Sequence, residues 1–190
     1  MAVREGVSLK TVESPRPRSR SRAAKLDAEA LKAYAQRAIG ARPMSEKELR
    51  TKLAGRAENP ADIEPILNLL REYGALGDET FAENFTAARR ASRGHGKQRV
   101  MADLRRRQVP KELAQATVEA QYAGLDERQL IEDYLARKYR GKDLPAMLQE
   151  PKNLASAIRR LASAGFSPGK SYEVLKRYAR GLEAWEPPLE

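Results

Sequence analysis

Three times along this 190-residue chain a leucine on an apolar helical stripe is followed, about two turns later, by a proline. Leu53 stands seven residues before Pro60, Leu104 six before Pro110 and Leu161 seven before Pro168. The leucines themselves are 51 and 57 residues apart. A period of that size belongs to stacked supersecondary units, each of which buries little alone and leans on its neighbours. The expected fold is all-α, with three tandem three-helix repeats stacked into an elongated molecule that is free to curve.

In the first unit Leu31, Tyr34, Ala35, Ala38 and Ile39 recur at helical spacing until Gly40 and Pro43 stop the run. Ser45 and Glu48 form a capping-box pattern opening a helix with Leu49 and Leu53. Ile63, Ile66, Leu67, Leu70 and Tyr73 share one face of a third helix. Pro65 fits only a first turn, which places the cap at Asp62 rather than Asn59. In the second unit Asp78 reads as the cap of a helix carrying Phe81, Phe85 and Ala88, ended by Gly94 and Gly96. Val100 and Leu104 mark the next helix, and Pro110 opens one with Leu113 and Val118. The last unit starts at Asp126 with Ile131, Tyr134, Leu135 and Tyr139, followed by a helix with Leu154, Ile158 and Leu161. Ser167-Pro168 caps its final helix, carrying Leu175, Ala179 and Leu182. The expected boundaries are 26–77, 78–124 and 125–183, with a disordered basic tail at 1–25 and a C-terminal tail at 184–190 holding Trp185. Composition agrees, because 30 Ala and 21 Leu face only 17 Val, Ile and Thr together.

Most catalytic chemistry has no residues to carry it. The chain has no cysteine and one histidine, which excludes disulfides, thiolate nucleophiles and Cys- or His-rich zinc sites. His95, between Gly94 and Gly96, is expected to be a mobile loop residue. The stretch ending Gly94-His95-Gly96-Lys97 fails the phosphate-loop pattern, since Ala91 and Gln98 stand where Gly and Ser or Thr are required. The acid pairs Asp62/Glu64, Asp78/Glu79 and Asp126/Glu127 fall in first turns, where they offset the helix dipole. Most aromatic residues lie on apolar faces and are expected in the core rather than stacked on bases. No catalytic residue, cofactor or metal is expected. No apolar run approaches the ~20 residues of a membrane span and no signal segment follows the start, so a cytoplasmic protein away from membranes is expected.

Charge points to a partner. The net charge is +10, and Arg outnumbers Lys by 24 to 12. Residues 1–25 hold seven bases against two acids. All nine bases of the second unit fall between Arg89 and Lys111, with Asp103 the single acid among them. Solvated helix faces usually mix signs, and this stretch does not. Arg89, Arg90, Arg93, Lys97, Arg99, Arg105, Arg106 and Arg107 are therefore the expected docking residues for an anionic surface, and replacing Arg89, Arg93 and Arg99 by Glu is expected to leave the fold intact, as exposed changes usually cost under about 0.5 kcal/mol each. Successive helical residues are about 100° apart, so at most two of Arg105, Arg106 and Arg107 can share that surface. A helix-turn-helix module reading duplex DNA is the alternative use of such units, usually as a dimer. No dimerisation face is evident, and a monomer is expected.

Three segments, in order, carry a family resemblance. Asp78-Glu-Thr-Phe81-Ala82-Glu-Asn-Phe85, followed by Arg89, Gly96, Arg99 and Leu104, resembles the central signature of the RecX regulatory proteins. Ser45 to Leu53 resembles the start of that family's first repeat, and Leu161-Ala-Ser-Ala-Gly165-Phe166-Ser167 the start of its last helix pair. The likeness covers roughly residues 31–180. Two positions depart from the usual pattern: Ala75 stands where an aromatic residue precedes Leu76, and Arg56-Ala57 replaces Lys-Gly. The resemblance implies tandem three-helix repeats and a non-enzymatic role in DNA recombination and repair. It implies binding to the RecA filament on single-stranded, and in some settings double-stranded, DNA, with restraint of its ATPase, strand-exchange and coprotease activities. Asp78, Phe81, Phe85, Leu104, Gly165 and Phe166 match as structural positions.

Overall fold

The computed structural model describes residues 24–179, which hold ten α-helices and no strand. The expectations for the basic tail before residue 24, and for Leu182 and Trp185, lie outside the described residues. The first unit contains α1 (Ala28–Ala41), α2 (Glu46–Arg56) and α3 (Ile63–Glu72). The second contains α4 (Asp78–Ala88), α5 (Lys97–Arg106) and α6 (Lys111–Tyr122). The third contains α7 (Glu127–Lys138), α8 (Leu144–Leu148), α9 (Pro151–Ala164) and α10 (Pro168–Lys176). The short α8 is an addition to the expected pattern: Asp143 Oδ1 accepts from Ala146 N–H at 3.1 Å, and Leu148 is fully buried.

The leucine–proline period has a direct structural meaning. Leu53, Leu104 and Leu161 sit in the middle helices α2, α5 and α9, each with no exposed surface. Pro168 is the first residue of α10, Pro60 opens the turn that leads into α3, and Pro110 stands one residue ahead of α6 as its cap; at each place the missing N–H costs nothing. Buried side chains form three separate clusters, one around each of these leucines. The chain is thus a tandem array of helical units rather than one bundle around one core.

Local differences from expectation have local causes. Asn59 Oδ1 accepts from Ala61 N–H at 3.1 Å and starts a 3-10 turn, Pro60–Asp62, that runs into α3. Asp62 makes no capping bond, so the cap belongs to Asn59 after all. Tyr73 closes α3 beside Gly74 (φ 65°) and is 77% exposed, because the chain leaves the helix there and the apolar stripe ends at Leu70. Past Ala88 the helix loosens into a π-helical turn, Arg89–Arg93, stopped by Gly94 at φ 60°.

Specific polar contacts join units and tie distant elements within a unit. Asp78 does not cap its own helix; its Oδ1 accepts from the Glu46 N–H at 2.7 Å, capping α2 across the first joint. Burial raises the Asp78 pKa, against the pull of that hydrogen bond. Ser167 likewise makes no cap for α10, since its N–H and hydroxyl both donate to the Glu127 carboxylate at 2.8 Å. Leu26 pairs with the end of α2, donating to Arg56 O at 2.8 Å and accepting from Glu58 N–H at 2.9 Å, around the buried Ala57. Ala75 lines an open apolar groove of about 510 Å³ at the first joint, with Ile39, Met44, Phe81 and Phe85.

Candidate functional site

The basic stretch is built around one buried acid. The Asp103 side chain is 6% exposed and lies in α5. Arg99 and Arg106 flank it one turn away on the same face, with Arg99 Nε 3.3 Å from Oδ1 and Arg106 Nη1 3.5 Å from it. Arg89 enters from the π-turn, with Nε 3.6 Å from Oδ2 and its guanidinium 4.8 Å above the Phe85 ring. Three guanidinium groups on one carboxylate leave an excess of about two positive charges, each partly in solvent. Arg89 and Arg99 are only about one-third exposed. They are therefore not the freely exposed side chains expected, because each leans on a buried carboxylate.

The other expected docking residues separate. Arg107 turns toward the first unit, where Nε donates to Glu48 Oε2 at 2.9 Å, Nη2 donates to Pro43 O, and its carbonyl accepts from Ser45 Oγ. Its guanidinium also lies 5.1 Å from the Phe81 ring centre. Burial works against the Glu48 carboxylate, yet hydrogen bonds from Arg42 and Arg107 hold its pKa below the usual range. Arg107 is a bolt of the first joint. Arg90 donates to the Gln121 carbonyl and satisfies the end of α6. Lys97 faces Glu119 at 4.0 Å, half exposed. Arg93 and Arg105 are exposed and carry no ion pair among the described residues. One of the three consecutive arginines, Arg106, joins the Asp103 group, as the 100° step requires.

The turn holding His95 is packed, not mobile. Gly96 N–H donates to Ala164 O at 2.8 Å, and Gln98 N–H to Gly165 O at 3.2 Å. The free carbonyls ending α9 thus satisfy the free N–H groups starting α5. A Cβ on Gly96 would lie 2.4 Å from Gly165 O, and one on Gly165 would lie 2.1 Å from Arg99 N. Both positions need glycine for close approach. Tyr122 Oη donates to His95 O at 2.7 Å, and burial pushes the tyrosine pKa up to about 12. Arg137 of α7 donates to Ala91 O at 3.1 Å and covers Gly94.

This second joint also opens a cleft of about 410 Å³ lined by His95, Arg99, Tyr134, Ser156, Arg159, Arg160, Ser163 and Ala164. The sequence pattern alone does not single out Arg159 and Arg160. Their signal is present, since α9 carries Lys152, Arg159 and Arg160 and no acid. Only the packing of α9 on α5 brings them beside Arg99.

Residues 78–118 match the family model described as RecX, second three-helix domain. The chain is 35% identical over 165 residues to the regulatory protein RecX of Deinococcus radiodurans, an alignment covering 87% of this chain and 76% of that one. It is 35% identical over 130 residues to the regulatory protein RecX of Chromohalobacter salexigens, covering 68% and 80%. The fold is similar to the crystal structure of RecX from Lactobacillus salivarius, with a TM-score of 0.59 at 15% identity over 80% of this chain and 96% of that one.

Proposed function

The chain belongs to the RecX family of regulatory proteins, and from that membership we propose that it binds the RecA filament on DNA and restrains its ATPase, strand-exchange and coprotease activities without catalysing a reaction itself. The observation that carries this reading is the extent of the likeness to RecX, which spans 87% of the chain and so all three helical units. The Asp103-centred group supports it. Arg89, Arg99 and Arg106 form a pre-positioned cationic surface, and Arg93, Lys97 and Arg105 extend it with side chains that can move to a partner. Arg90 and Arg107 are assigned to holding that surface in place. Cytoplasmic location and action as a monomer belong to the same reading.

The test is RecA-catalysed ATP hydrolysis on single-stranded DNA with increasing amounts of this protein. Inhibition well below the amount that coats the DNA is expected. A plain DNA-binding module would slow hydrolysis only by covering DNA, and no effect at any ratio would sink the proposal. Replacing the exposed Arg93 and Arg105 by Glu is expected to weaken inhibition while leaving the stability within about 0.5 kcal/mol of the parent.

A further inference from the structure

The cleft between α5 and α9 gathers three guanidinium groups and no carboxylate on its walls. Arg99 comes from the second unit, and Arg159 and Arg160 from the third. Arg159 and Arg160 are exposed and make no ion pair among the described residues; Arg160 Nε only donates to Ser156 Oγ at 3.4 Å. Two polar atoms on the rim are buried without a hydrogen-bond partner, His95 Nδ1 and Arg99 Nε. The latter is 3.3 Å from Asp103 Oδ1 but poorly aligned with it. Ser156 and Ser163 supply hydroxyl donors, and the half-buried Tyr134 ring, edge-on to Phe166 at 5.6 Å, supplies a flat wall.

We propose that this cleft is a phosphate-binding notch that holds the phosphodiester backbone of a nucleic-acid strand across the joint between the second and third units. Guanidinium forks match the non-bridging oxygens of a phosphate in pairs, and serine hydroxyls complete such a set. The cleft is open, so a free phosphate ion would keep most of its water and gain little under salt screening. A strand gains more, because it continues onto Arg89, Arg106 and the exposed Arg93 and releases a counterion at each phosphate it seats. The notch deepens the proposed function by naming where DNA lies, and it rests on that reading only for the identity of the polyanion.

The experiment measures binding of the full chain to a labelled single-stranded oligonucleotide by fluorescence anisotropy across a salt series. The R159Q/R160Q variant is expected to bind more weakly, with the slope of log affinity against log salt falling by about 0.7 for each phosphate no longer neutralised. The same charge change at the exposed Arg37 and Lys47 of the first unit is expected to leave the slope at the parent value. An R159Q/R160Q slope and affinity equal to the parent's would overturn the notch, as would an equal loss from the Arg37 and Lys47 changes. Displacement of the oligonucleotide by inorganic phosphate at matched ionic strength would overturn the preference of the cleft for a strand over a free anion. The two readings fail separately. A protein that binds the oligonucleotide through Arg159 and Arg160 but leaves RecA turnover untouched keeps the notch and loses the regulator. One that inhibits RecA with an unchanged R159Q/R160Q slope does the reverse.

Discussion

Asp103 is the residue on which the cationic surface depends. It is the single acid between Arg89 and Lys111, and it is buried where a solvated counter-charge would sit outside. Replacing it with Asn keeps the shape and removes the charge that gathers Arg89, Arg99 and Arg106. The expected cost is about 1–3 kcal/mol, the usual range when the groups facing a buried partner are left unmatched. Urea unfolding of Asp103→Asn checks this, and a change within error of zero would mean that the arginines hold their places without it. His95 supplies a pH signature at the same scale. Burial lowers its pKa from the ordinary 6.5, Asp103 opposes that shift, and Arg99, Arg89 and Arg93 add to it. The depressed pKa means that the unfolded chain takes up this proton first as pH falls. Its contribution is therefore complete above 6.5 and declines as pH drops through the lower folded-state value. Urea midpoints at about pH 7.5 and about pH 5.5 should differ less for His95→Gln than for the parent chain.

At the scale of elements, the helix ends do the joining. Asp78 accepts from the first N–H of α2, beside the Ser45 cap, rather than capping α4, so Asp78→Ala should cost about 0.5–2 kcal/mol, the range for removal of a capping bond. Hydrogen exchange gives the distinguishing readout: the Glu46 amide in the neighbouring unit should lose protection before the amides of α4 do. Glycines divide in the same way. Gly165 has φ +85° and faces the backbone of Arg99, whereas Gly55 sits in α2 with nothing within 4 Å of its missing side chain. Gly165→Ala should destabilise by more than the roughly 1–2 kcal/mol that a left-handed conformation costs alone. Gly55→Ala should stabilise by roughly 0.5–1 kcal/mol, because it adds helix propensity at an open position. Thermal melts of the two variants moving in the same direction would contradict this account.

Across the whole molecule, three small cores are linked by polar joints. The hydrogen bonds that cross between units join the second unit to the first, through Arg107, Gln108 and Asp78, or to the third, through Gly96, Gln98, Arg99 and Arg137. Stability in such an array is a sum of unit and joint contributions. Leu53→Ala, Leu104→Ala and Leu161→Ala should each cost about 2–5 kcal/mol as cavity mutations. Their reach should differ. Hydrogen exchange should rise in all three units for Leu104→Ala, since both joints rest on the second core, and mainly in the end unit for the other two. Uniform acceleration from Leu53→Ala would show a more cooperative molecule than these joints imply.

The sequence by itself determined the helical class, the tandem repeat and most of the leucines and isoleucines that fill each core, though not the exposed Tyr73 or the buried Leu148. Those features rest on local propensity and on apolar spacing, and both are written residue by residue. It also placed nine basic residues and a single acid between Arg89 and Lys111. It could not say where the ends of helices find partners. Asp78 and Ser167 both look like caps of their own helices, and both are taken by neighbouring elements that lie 32 and 40 residues away along the chain. Nor could it sort a run of eight basic residues into three around Asp103, two locked against backbone and a joint, and three free to reach outward. That division depends on which helix face meets which neighbour. Arg159 and Arg160 show the same limit from the other side, since 60 positions separate Arg99 from Arg159 and only the Gly96–Gly165 approach brings them to one cleft. Charge is a property of the chain, but a site is a property of distances, and those came from close packing at the two joints.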